Sequence, residues 1–157
     1  MPSQRYAIIV SGERFHFTRD QLESEPGNYF ATYFFGGFQE ATNNVKELIL
    51  EKDPLLFKHI QTHLRGYKVF PIPKEYLPAY MDEVTALENL EKDADFFGLE
   101  SLCRLTKAEA RRIVTIRAKD AALKSPLPIS PLPISPLPRS PPKPLGIQYR
   151  TWVRIIS

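Results

Sequence analysis

Between Lys46 and Gly66 the chain passes from a short apolar segment, Glu47-Leu48-Ile49-Leu50-Glu51, through Lys52-Asp53-Pro54 into a run in which Leu56, Phe57, Ile60 and Leu64 recur at helical spacing. Asp53 is an N-cap residue, and Pro54 suits the first helical position, where its missing N–H leaves no bond unmade. Gly66 marks the end of that helix. A buried strand feeding one amphipathic helix through a two-residue joint predicts an α/β (α+β) fold, a small sheet with helices packed over it.

The neighbouring segments fit that frame. Tyr6-Ala7-Ile8-Ile9-Val10 is apolar and rich in β-branched residues, Arg14-Phe15-His16-Phe17-Thr18 alternates, and Ser11-Gly12-Glu13 joins them, so a β-hairpin is expected. Thr18 with Gln21 makes a capping box for a short helix carrying Leu22, broken by Pro26-Gly27. The next helix starts near Asn28, places Phe30, Tyr33 and Phe34 on one face as core, and stops at Gly36-Gly37. Lys68 to Pro73 reads as a short, proline-limited edge strand. A helix over 83–98 carries the stripe Val84, Leu87, Leu90, Ala94 and Phe97, and Leu99 to Leu105 adds a last apolar turn. Thr106-Lys107-Ala108-Glu109 is a second capping box, opening a basic helix that reaches about Leu123 and leads out into solvent.

Charge separates the two parts of the chain. Residues 1–100 hold 10 Lys/Arg and 16 Asp/Glu, a net of −6, whereas residues 101–157 hold 11 and 2, a net of +9. An acidic globular domain with a basic extension follows. At 157 residues and 43% hydrophobic, one domain with a real core plus extensions is expected. No apolar run is long enough for a membrane span and no basic-then-apolar leader is visible, so the expected setting is intracellular, cytoplasmic or nuclear.

From Ser125 to Pro144 nine prolines fall in twenty residues, with Ser-Pro at 125, 130, 135 and 140. Such a tract reads as a polyproline-II-prone spacer. Two functional readings stand beside the spacer: proline-directed phosphorylation of those serines, and docking of a proline-groove domain at Pro138-Arg139-Ser140-Pro141-Pro142-Lys143. The segment Ile147 to Ile156 alternates as a strand would, with no obvious pairing partner.

Residues capable of chemistry are few. His59 and His63 stand four apart, but the glutamate of a zinc-protease motif is missing, and surface or flank histidines are the simpler reading. Cys103, the one cysteine, excludes an internal disulfide and a multi-cysteine zinc site, and in its apolar turn it reads as a buried structural thiol. Gly36-Gly37 lacks the Lys of a phosphate-binding loop. No catalytic residue, cofactor or metal site is expected, and the chain is not expected to be an enzyme.

In their order, several motifs resemble a BTB/POZ domain: Arg14-Phe15-His16-Phe17-Thr18 with Leu22, the aromatic helix Tyr29 to Phe35, Leu48-Ile49-Leu50-Glu51-Lys52-Asp53-Pro54 with Phe57 and Ile60, Leu64-Arg65-Gly66, and Ala94-Asp95-Phe96-Phe97-Gly98-Leu99. The Asp-Pro-x-x-Phe, Leu-Arg-Gly and Phe-Phe-Gly-Leu pieces are similar to the potassium-channel-tetramerisation type. The resemblance covers about residues 5–105, followed by a basic helix over 106–124, a proline-rich linker over 125–144 and a tail over 145–157. It implies a three-stranded sheet with a helical cluster and a role in self-association and partner recruitment. The cysteine-histidine set of an intersubunit zinc is missing. The helix that precedes the first strand in swapped BTB dimers has no counterpart before the hairpin, so a ring-like or weaker homo-oligomer is the expected assembly.

Within that resemblance, Phe38-Gln39-Glu40 matches the hydrophobic-x-Glu motif of BTB adaptors for cullin ubiquitin ligases, making Phe38 and Glu40 the candidate partner-binding residues and a cullin scaffold the candidate partner. The alternative is a nucleic-acid-associated regulatory protein acting through the basic C-terminal half.

Overall fold

Residues 4–37, 39 and 43–124 are described by the computed structural model of the chain. The proline tract, its Ser-Pro sites, the Pro138–Lys143 segment and the 145–157 tail lie outside the described residues, as do Phe38 and Glu40. Two compact units divide the chain, residues 1–118 and 119–157. The second is described only over Lys119–Lys124.

The hairpin forms as its sequence predicts. Strands β1 (Arg5–Val10) and β2 (Glu13–Thr18) pair antiparallel, Val10 opposite Glu13 and Arg5 opposite Thr18. Ser11 and Gly12 make the two-residue turn, both at positive φ (47° and 90°), the geometry whose twist matches that of the strands it joins. Strand β3 (Glu47–Leu50) then pairs parallel to β1, giving the order β2-β1-β3. The central strand is therefore β1. β3 is an edge strand, contrary to the expectation of a buried one: it buries Leu48 and Leu50 but leaves Ile49 70% exposed, because only one of its faces meets helices.

Helix α1 (Arg19–Leu22) carries the full Thr18/Gln21 capping box. Asn28, fully buried, caps α2 (Tyr29–Phe35) by accepting from the Ala31 N–H, and its amide donates to the carbonyls of Leu22 and Glu25 at 2.7 Å each. One side chain thus closes the loop and starts the helix. Asp53 accepts from the Leu56 N–H at the start of α3 (Pro54–Leu64), with Pro54 in the first turn. Asp82 does the same for α4 (Glu83–Phe96), accepting from the N–H groups of Val84 and Thr85.

Two expectations are corrected between α3 and the end of the description. Residues 68–73 form no strand: Pro71 and Pro73 have no N–H to offer a ladder, and the segment runs irregularly, pressing Val69 and Ile72 into the core before a 3-10 turn at Lys74–Tyr76. Helix α5 runs unbroken over Glu100–Lys124, so Thr106 is no cap. It is buried inside the helix, and its hydroxyl donates to the Leu102 carbonyl at 2.7 Å. The helix packs onto the domain as far as Ile113, and every residue from Val114 to Lys124 is exposed, so the expected solvated helix is found only over that last part. Glu109 and Ile113 are buried, Lys107 reaches Glu91 of α4 at 3.4 Å, and Arg117 reaches Glu83 of α4 at 3.0 Å.

The core lies between the inner sheet face and the helices, and Phe57 stands at its centre. Its ring meets Phe15 at 5.0 Å, Phe17 at 6.3 Å, Phe30 at 6.1 Å and Phe97 at 6.0 Å, so hairpin, α2, α3 and the end of α4 share one aromatic cluster.

Gly36 fixes where α2 ends. A Cβ there would stand 2.2 Å from the Thr32 carbonyl oxygen, which already accepts the Gly36 N–H at 2.9 Å. Gly36→Ala must therefore break that closing turn and is expected to cost about 1–3 kcal/mol, read as a lower urea midpoint with an unchanged slope.

Candidate interaction surface

The chain leaves Gly36-Gly37 toward Phe38 and Glu40 and returns through Asn43, whose N–H donates to the Gln39 carbonyl at 2.8 Å, into β3. Phe38 and Glu40 themselves lie outside the described residues, and the elements before and after them in the chain are α2 and β3.

Those elements carry an aromatic surface. Tyr29 stacks on Tyr33, with centroids 6.3 Å apart and planes 20° apart, and meets Phe96 at 5.6 Å. Phe96 is 56% exposed although its neighbour Phe97 is fully buried. The Lys52 ammonium lies 4.7 Å above the Phe96 ring and 2.9 Å from the Asp93 carboxylate, so it orders the ring through cation–π attraction while paired to a buried acid. The Tyr33 hydroxyl reaches the Glu47 carbonyl at 3.5 Å, placing this surface beside β3 and its exposed Ile49. On the outer sheet face Arg14 and Glu47 pair at 2.6 Å across β1. Exposed apolar patches of sufficient size mark interaction surfaces, and Tyr29 with Phe96 is the start of such a patch, Ile49 standing on the neighbouring strand.

Among the described residues no group of three or more His, Cys, Asp or Glu side chains could hold a metal. His59 and His63 are not surface histidines, and each has its own partner. The His59 Nε2–H donates to the Tyr76 carbonyl at 2.9 Å, while His63 Nε2 bonds Glu25, whose other carboxylate oxygen accepts the Ser101 N–H at 3.3 Å. Glu25 thereby ties the loop before α2 to the end of α3 and the start of α5, a structural role with no periodic signal in the sequence. Cys103 is buried, as its sequence setting predicts, and that burial pushes its thiol pKa up, away from a reactive thiolate.

No protein-family model matches the chain. It is similar to an uncharacterised protein of Caenorhabditis elegans, F47D12.3, with 32% identity over 68 residues. That match spans 43% of this chain and 43% of the worm protein, so it covers less than half of either. Among the described residues no helix is long and apolar enough to cross a membrane.

Burial lowers the His59 pKa from its ordinary value of 6.5, more than its hydrogen bond to Tyr76 raises it. The unfolded chain therefore binds the proton more readily. The contribution of His59 is complete above the unfolded value and is lost as pH falls through the lower folded one. Between about pH 7 and about pH 5, wild-type stability should fall more steeply than that of His59→Gln; parallel slopes in urea titrations would remove His59 from this role.

Proposed function

We propose that this chain is a homo-oligomerising interaction module of the BTB/POZ class, of the potassium-channel-tetramerisation type, and that its Phe38-Gln39-Glu40 segment recruits a cullin scaffold. One observation carries the reading. The phenylalanines of three separate motifs, Phe30 of the aromatic helix, Phe57 of Asp-Pro-x-x-Phe and Phe97 of Phe-Phe-Gly-Leu, meet in a single cluster, with Phe30 and Phe97 only 4.6 Å apart. Motifs that are unrelated along the chain thus serve one packing arrangement, which is what a shared fold requires of them. The exposed Tyr29, Phe96 and Ile49 supply apolar surface for association.

The alternative, nucleic-acid binding through the basic helix, loses ground on geometry. Lys107, Arg112 and Arg117 of α5 are each engaged with a carboxylate, leaving a thinner positive face than the net charge of the C-terminal half suggests.

Light scattering on the full chain tests the association, and the expected mass is at least twice the 18.0 kDa of one chain. A strictly monomeric mass at high micromolar concentration would overturn it. In the same samples Phe38→Ala should lose binding to a cullin N-terminal domain while keeping wild-type mass, since truncating a buried interface anchor costs roughly 2 kcal/mol or more. Wild-type protein that shows no cullin binding would reduce the reading to self-association.

A further inference from the structure

Where β1 begins and β2 ends, the fold leaves an open cleft of about 350 Å³, lined by Arg5, His16, Arg65 and Tyr67 together with the capping pair Thr18 and Gln21. Arg5 stands opposite Thr18 in the sheet, and Arg65 is the C-cap of α3. The Gln61 amide donates to the His16 carbonyl at 3.4 Å, holding β2 against α3, and the pairing of β2 with β1 brings the Arg5 strand to the same end of the fold.

The charge of this cleft runs against its surroundings. Residues 1–100 are acidic, with a net of −6, and contain four arginines: Arg5, Arg14, Arg19 and Arg65. Arg14 pairs with Glu47 and Arg19 with Glu23. No carboxylate of the described residues pairs with Arg5 or Arg65, and these two line the same cleft, whose lining includes no acid. In a part of the chain with a surplus of acids, two arginines that pair with no described carboxylate line one concavity. A guanidinium fork matches the oxygens of a phosphate, and a concave wall concentrates its field. The volume is at the low end of small-molecule sites, which run from roughly 300 to 1,000 Å³, and it suits a phosphate carried on a small organic body. Tyr67, 68% exposed, offers a ring beside that body.

We propose that this cleft binds a phosphate monoester, with the phosphate held by Arg5 and Arg65, the His16 imidazole as a further donor and the organic body against Tyr67. Two sources supply that chemistry, a phosphorylated side chain and a free nucleotide. Isothermal titration of the full chain at low ionic strength with O-phosphotyrosine and with adenosine 5′-monophosphate separates them, the stronger ligand naming the source. At least one ester should bind, and binding should weaken tenfold or more in Arg5→Gln and in Arg65→Gln but stay at wild-type strength in Arg111→Gln, which alters a cation on α5. Both cleft variants should keep the wild-type melting temperature and light-scattering mass, so this result is independent of the association proposed above. The site is overturned if neither ester binds, if the cleft variants bind as wild type does, or if Arg111→Gln loses as much as they do.

Discussion

The packing of Phe57 is the contact on which the rest of this fold depends. Fully buried, its ring touches both inner phenylalanines of β2, Phe15 and Phe17, together with Phe30 and Phe97. Its position is set by the local chemistry of one joint. Asp53 caps α3 and Pro54 opens it, and the first turn then delivers Phe57 beneath the sheet. The Phe97 carbonyl also accepts the Tyr29 N–H at 2.8 Å, so the end of α4 and the start of α2 are joined by backbone as well as by rings. A three-stranded sheet of short strands has little stability of its own, and this aromatic cluster gives it a second layer.

That arrangement buries one sheet face and leaves the other, and one edge, open. The exposed apolar residues are distributed accordingly. Ile49 stands on the edge strand, and Tyr29 and Phe96 lie where α2 and α4 meet solvent, with Lys52 held over Phe96. Phe96 and Phe97 make the division plain. Adjacent in sequence, they point to opposite environments, one completing the core and the other extending the surface on which the proposed association rests.

Much of this was legible because the signals are local. The Ser11-Gly12 turn, the Thr18/Gln21 box, the helix start at Asn28 and the Asp53 cap each act within four residues, and each is found where its sequence predicts it, whereas the Asp82 cap, equally local, is added by the structure. What depends on distant pairing was not legible. The apolar run at Glu47–Leu50 does not reveal that β1 lies between it and β2. Thr106 and Glu109 satisfy a capping pattern, yet they sit inside a continuous helix because the residues before them pack onto the domain and Glu109 pairs with Arg112 instead. The Glu25–His63–Ser101 link and the cleft of Arg5 and Arg65 join residues far apart in the chain, and no periodicity marks them. For Phe38 and Glu40 the sequence supplies a motif and a position, between a glycine-terminated helix and an edge strand.

The account stands on the motif phenylalanines acting as one unit, and a double-mutant cycle on Phe57 and Phe97 measures that directly. Phe57→Leu, Phe97→Leu and the double variant would be unfolded in urea, which keeps apolar volume in place while removing the ring contact. A coupling energy of about 0.5–1.5 kcal/mol between the two positions is predicted. Additivity within about 0.3 kcal/mol would contradict it, showing that the two rings are buried independently and that their motifs do not share one packing arrangement.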